Sequence, residues 1–233
     1  KTTYSQMLSK SVSITYNYQT RLITWTLVVN RNQLPQTNVV VNDLIPAGLR
    51  LLPETITISP TDEDYDLDTV VNTAGNLVDR DSIRLEFSSL SKQVIITYQT
   101  IAEEGLLLVD GDKSLINSAT YTSTTILNLT ASATAIIRNP IVTKTGNYEN
   151  GSDFIKWGVT INPNAVQLDT VQLTDDLQTG LKLDTHSIVL YEMDLQADGS
   201  LIQKPTPVHP NSYSVGYDED LNRFTFTFKD KLS

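Results

Sequence analysis

The sequence predicts an all-β chain of two tandem immunoglobulin-like β-sandwich domains, the second incomplete at its C-terminus. Three observations predict it. Apolar residues fall in short alternating or β-branched runs between turn signals, and nothing of helical period exceeds two turns. One segment recurs: Ile23-Thr24-Trp25-Thr26-Leu27-Val28-Val29-Asn30 returns as Ile155-Lys156-Trp157-Gly158-Val159-Thr160-Ile161-Asn162, at an offset of 132. The offset then holds without a gap, setting Asp43 on Asp175, Gly48 on Gly180, Leu49 on Leu181, Leu51 on Leu183 and Ile56 on Ile188. Chance supplies one or two such identities, but not this ordered set, so the chain is a duplication. Its only two tryptophans, Trp25 and Trp157, share one repeat position, which reads as core.

Taken in order, Val39 to Val41 is a β-branched run ending at Asn42-Asp43. Ile45-Pro46-Ala47-Gly48 is loop chemistry, because proline fixes φ and glycine is free to take a positive one. Thr55–Ile58, Ile83–Phe87 and Val94–Tyr98 read as strands. Asp110-Gly111 and Asp198-Gly199 are hairpin signals. Leu115–Tyr121 and a Thr/Ala-rich strand reaching Ile137 close the first domain, residues 1–138. Arg138-Asn139-Pro140 is the junction, and residues 139–233 form the second copy. In that copy Phe224–Phe228 corresponds to Ile83–Phe87, and no counterparts of Val94–Tyr98 or of Asn117 follow. The second domain is therefore expected to be short by two or three strands.

Composition narrows the function. With a net charge of −10 and no basic cluster, the chain has no general attraction for nucleic acid or an anionic membrane. The absence of cysteine rules out disulfides and thiolate metal sites, and no apolar run is long enough to span a bilayer as a helix. Asp62-Glu63-Asp64-Tyr65-Asp66-Leu67-Asp68 alternates carboxylates but lacks the glycine and the terminal glutamate of a calcium loop, so it reads as a solvated acidic loop. His186 and His209 have no partnered spacing. Neither a nucleophile elbow nor a glycine-rich phosphate loop is present. No metal and no cofactor are expected.

Lys144-Thr145-Gly146-Asn147-Tyr148, Trp157 and Leu173-Thr174-Asp175-Asp176 before Gly180-Leu181 resemble a domain of the collagen-adhesin A region, found in cell-wall-anchored proteins of Gram-positive bacteria. The first domain resembles it through Lys10, Trp25, Val41-Asn42-Asp43, Pro46-Ala47-Gly48-Leu49 and Ile116-Asn117-Ser118-Ala119. The resemblance implies an isopeptide bond between a lysine on the first strand and an asparagine near the last, assisted by a buried acid. Carried over, it joins Lys10 to Asn117 with Asp43 as the acid; Lys144 and Asp175 are the second-domain equivalents, whose asparagine lies beyond this sequence. The two lysines stand 15 and 13 residues before their tryptophans, so the duplication alone does not align them.

Those residue types suit that chemistry. An ammonium cannot attack an amide, whereas a neutral amine can, and an apolar core disfavours charged forms of both lysine and aspartate. A neutral carboxylic acid can then donate a hydrogen bond to the carboxamide. The reaction runs once within one chain, so the protein is no enzyme in the turnover sense. The resemblance further implies an extracellular, cell-wall-anchored adhesin binding a host extracellular-matrix protein such as collagen, a monomer within a longer multidomain chain. Two competitors stand beside it: a structural stalk repeat of a surface protein or pilus with no ligand, and a carbohydrate module, against which both tryptophans at a core-like position argue.

Overall fold

Strand alternation builds the first unit of the computed structural model, which describes residues 7–60, 67–72 and 80–233. In β2 (Leu22–Val29) the side chains of Ile23, Trp25, Leu27 and Val29 are buried while their neighbours are half-buried. The same period of two runs through β7 (Val94–Ala102), with Val94, Ile96, Tyr98, Thr100 and Ala102 inward. Flanked by β1 (Leu8–Ile14) and β4 (Leu49–Ser59), these form an antiparallel sheet in the order β1-β2-β7-β4.

The second sheet is built from β3 (Gln36–Leu44), β5 (Leu67–Asn72), β6 (Ser82–Leu90), β8 (Lys113–Thr122) and β9 (Leu129–Ile137), ordered β5-β6-β3-β8-β9. Its inner face presents Val39, Val41, Ile83, Leu85, Phe87, Ala119 and Tyr121, all buried. Each large apolar side chain closed off this way contributes roughly 1.5–3 kcal/mol, which is what holds the two sheets together as an immunoglobulin-like sandwich. Gly48 makes the turn into β4 at φ +81°, and a Cβ there would meet Leu106 at 3.0 Å, so both conformation and space call for glycine.

The chain divides into two compact units, Lys1–Asn139 and Pro140–Ser233. The second unit holds β10 (Val142–Tyr148) paired with β11 (Ile155–Ile161), a sheet of β12 (Gln172–Asp176), β16 (Arg223–Phe228) and β15 (Tyr213–Asp218), and a hairpin of β13 (Tyr191–Leu195) and β14 (Leu201–Pro207). Pairing carries the duplication into three dimensions. Asp43 stands opposite Ile83 and Asp175 opposite Phe224, which matches the two runs that the sequence aligned. Asn30 and Asn162 both take positive φ, and each brackets the residue four ahead with two side-chain hydrogen bonds.

Two expectations are corrected. Asp110-Gly111 makes no hairpin: it joins a one-turn helix, α1 (Glu104–Leu107), to β8, whereas Asp198-Gly199 does turn β13 into β14. Trp157 is not core. It is 49% exposed while Trp25 is fully buried, because no strand in residues 140–233 stands where β7 flanks β2 in the first unit.

Candidate crosslinking site

Four inward positions on four strands converge between the sheets of the first unit. Lys10 lies on β1 opposite Leu27, and Tyr98 lies on β7 opposite Trp25. Across the core, Asp43 lies on β3 between its partners Ile83 and Ala119, and Asn117 lies on β8, one inward step from Ala119. The duplication left the lysine register open, and strand pairing closes it. Lys144 stands opposite Val159, the repeat counterpart of Leu27, so Lys10 and Lys144 occupy the same place in their units.

All three residues expected at this site are brought together and shut off from water. The side chain of Lys10 is 0% exposed and that of Asp43 1%, and Asn117 is fully buried too. Lys10 Nζ pairs with Asp43 Oδ2 and donates to the Tyr98 hydroxyl at 2.8 Å. That hydroxyl donates in turn to Asp43 Oδ2 and accepts from Asn117 Nδ2 at 2.8 Å. Amine and carboxamide are thus two hydrogen bonds apart, through one oxygen. The aromatic rings of Trp25 and Tyr98 close over the ammonium, with centroids 5.7 and 5.4 Å from Nζ.

The electrostatics follow from burial. Desolvation brings the Lys10 amine down from 10.5 to about 8, against the opposing pull of Asp43. Roughly a tenth of the amine is therefore neutral at pH 7, far more than for an ordinary lysine. Burial first, and then the Asp43 charge, push the Tyr98 phenol well above its usual 10. Asp43 Oδ1 and Asn117 Oδ1 are buried without a hydrogen-bond partner. Orphaned acceptors in a dry core are costly, and a proton on the carboxyl group would turn one of them into a donor.

The second unit repeats the pair without the enclosure. Lys144 Nζ pairs with Asp175 Oδ2, and the ammonium lies 4.5 Å from the Trp157 ring centroid. There Lys144 is 36% exposed and Asp175 16%. Trp157 leans onto Gly146, where an added Cβ would come within 2.6 Å of the ring, so only glycine fits beneath it.

Tyr98 was missed by sequence reasoning as a site residue. Its signal was present: in Val94-Ile95-Ile96-Thr97-Tyr98 the apolar alternation turns the tyrosine inward, and a buried phenol needs hydrogen-bond partners. His186 and His209 are exposed; the His209 ring only accepts from the Asn211 amide, at 3.1 Å. The acidic run falls outside the described residues from Asp62 to Asp66, and Leu67 begins β5. Among the described residues, no three histidine or carboxylate side chains are grouped to hold a metal ion.

The profile of the collagen binding domain family matches residues 5–132 and again 139–233. No curated protein matches the chain. Among solved structures, the collagen binding subdomain of Enterococcus faecalis surface protein ACE is similar at 14% identity and a TM-score of 0.38, over 57% of this chain and 97% of that one. The collagen-binding domain of a Staphylococcus aureus adhesin is similar at 12% identity and a TM-score of 0.38, over 55% of this chain and 96% of that one.

Proposed function

The chain belongs to the family of collagen binding domains, and from that premise we propose that it is a segment of a Gram-positive surface adhesin, extracellular and cell-wall anchored. In this reading its two domains, residues 1–138 and 139–233, engage a host extracellular-matrix protein of the collagen type. The observation that carries it is the match of the family to both halves of the chain. An acidic chain without a basic cluster suits a protein partner rather than a polyanion. The test is binding of the two-unit protein to immobilised collagen. Saturable binding is expected, and silence at high micromolar concentration would leave the stalk reading in its place.

The first domain, in the same proposal, is stapled by an amide bond between Lys10 Nζ and Asn117 Cγ. Support comes from the buried cluster, which sets a lysine of lowered pKa, a carboxyl group and a carboxamide about one phenol oxygen. Lys10 gives a proton to Asp43, the free amine attacks Cγ, and Nδ2 departs as ammonia. Asp43 is regenerated, and the reaction ends after one turn because its substrate is the chain itself. The bond closes a loop of about a hundred residues, which by analogy with disulfides is worth roughly 4–5 kcal/mol. It links β1 of one sheet to β8 of the other, so a pull on the chain meets a covalent bond between the sheets. Intact mass tests it, since one lost ammonia lowers the mass by about 17 Da.

A further inference from the structure

Resting on that crosslinking reading, we infer that Tyr98 is the proton relay of the reaction, carrying a proton from the nucleophile side of the site to the departing nitrogen. Expelling ammonia from a tetrahedral carbon requires a proton on Nδ2, and a leaving amide anion is far too basic to depart without one. Asp43 makes its contacts to Lys10 and to Tyr98, and Asn117 Nδ2 donates to the Tyr98 hydroxyl. The hydrogen bonds form one path, Lys10 Nζ to Asp43 Oδ2 to Tyr98 hydroxyl to Asn117 Nδ2, with every link made inside a core that excludes water.

Direction along that path changes as the reaction proceeds. Before attack, Nδ2 is a planar amide nitrogen with no lone pair to offer, so it donates to the phenol oxygen, as observed. Attack at Cγ makes Nδ2 pyramidal and gives it a lone pair, and it becomes an acceptor. Meanwhile Asp43, holding the proton taken from Lys10, becomes a donor to the phenol oxygen. The hydroxyl can then turn from Asp43 to Nδ2.

The steps balance. The Lys10 ammonium gives one proton to the Asp43 carboxylate, and its lone pair forms the Nζ–Cγ bond. Tyr98 gives its hydroxyl proton to Nδ2 while taking the proton of Asp43, and the Cγ–Nδ2 bond breaks to release ammonia. Asp43, again a carboxylate, takes the surplus proton from Nζ and later passes it to solvent. Tyr98 ends as it began. Because burial and the Asp43 charge both oppose a phenolate here, the hydroxyl acts by concerted exchange rather than by standing ionised.

The test follows the full chain as it is made. Wild type, Tyr98→Phe and a chain carrying 3-fluorotyrosine at position 98 are produced by cell-free synthesis, quenched in acid at intervals and weighed intact. Wild type is expected to lose one ammonia. Tyr98→Phe is expected to do so at least roughly 100-fold more slowly, the scale of one lost acid-base group. The fluorinated phenol, nearly the same size but more acidic, is expected to change the rate while leaving the melting temperature of the unreacted chain in place, which a purely structural hydroxyl would not do. Tyr98→Phe reacting at the wild-type rate would overturn the relay and leave the crosslink standing. A fluorotyrosine rate equal to wild type would also overturn it, and decides the matter if Tyr98→Phe does not fold. A wild-type chain that never loses ammonia would overturn the crosslink and the relay together.

Discussion

Lys10 with Asp43 and Lys144 with Asp175 are the same ion pair at the same place in two copies of one fold, yet only the first pair is buried. In the first unit β7 flanks β2 and β8 flanks β3, so Tyr98 and Asn117 close the pair in. In residues 140–233 no strand takes either place, and water reaches Lys144, Asp175 and Trp157. The difference teaches that the proposed crosslinking needs not the pair alone but the pair with its lid. A partly exposed ion pair is a modest surface contact worth about 0–1 kcal/mol; in the enclosed pair, desolvation pushes the Lys10 amine towards its neutral form.

The sharpest way to break this comparison is by mass. The 233-residue chain is expected to lose one ammonia and not two. Asp43→Ala should abolish that loss, and Asp175→Ala should leave it intact. Loss of two ammonia molecules, or a loss that survives Asp43→Ala, would end the asymmetry.

Stability gives the next largest effect. Asn117→Ala, which cannot crosslink, should unfold with about 4–5 kcal/mol less stability in the first unit, or roughly 10–20 °C in its melting transition. Lys144→Met should move the second unit by no more than about 1 kcal/mol. Denaturant and thermal melts read both.

The tryptophans sharpen the same contrast. Trp25 is fully buried and its indole N–H donates to Thr100 Oγ1 at 2.9 Å, so Trp25→Ala should cost about 3–5 kcal/mol. Trp157→Ala should cost clearly less. In the intact protein an aqueous quencher should reach Trp157 and spare Trp25.

The smallest effect is one of pH, seen in Asn117→Ala, where Lys10 stays free. Its folded pKa of about 8 lies below the 10.5 of an unfolded lysine, so the unfolded chain holds more protons between those values. Stability should therefore rise with pH from about 8 to about 10, by on the order of 2 kcal/mol. Above pH 10 the Tyr98 phenol, held protonated in the fold, reverses the trend as unfolded tyrosine ionises. A flat profile from pH 8 to 10 would show that Lys10 is not desolvated.

Much of this was legible in the sequence because period and repetition are local properties. Alternation in Ile23–Val29 and in Val94–Tyr98 fixed which side chains turn inward, and the offset of 132 set Asp175 on Asp43 to the residue. Sequence left the two lysines out of step, because 15 and 13 residues separate them from their tryptophans; the hydrogen-bonded register aligned them on Leu27 and Val159. It assigned Asp110-Gly111 to a hairpin because the dipeptide specifies a turn and not what the turn connects.

From the sequence alone came the strand class and the duplication, since each follows from near neighbours or from the chain's likeness to itself, while Lys10, Asp43 and Asn117 were singled out by the resemblance to the collagen-adhesin A region. Burial, on which the proposed chemistry depends, was legible only in the packed sheets. Whether a lysine is a solvated charge or a candidate nucleophile depends on strands 88 and 107 residues away, Tyr98 and Asn117, arriving to exclude water. Desolvation is a property of the enclosing surface, and no stretch of chain around Lys10 or Lys144 could reveal how far each is enclosed within these residues.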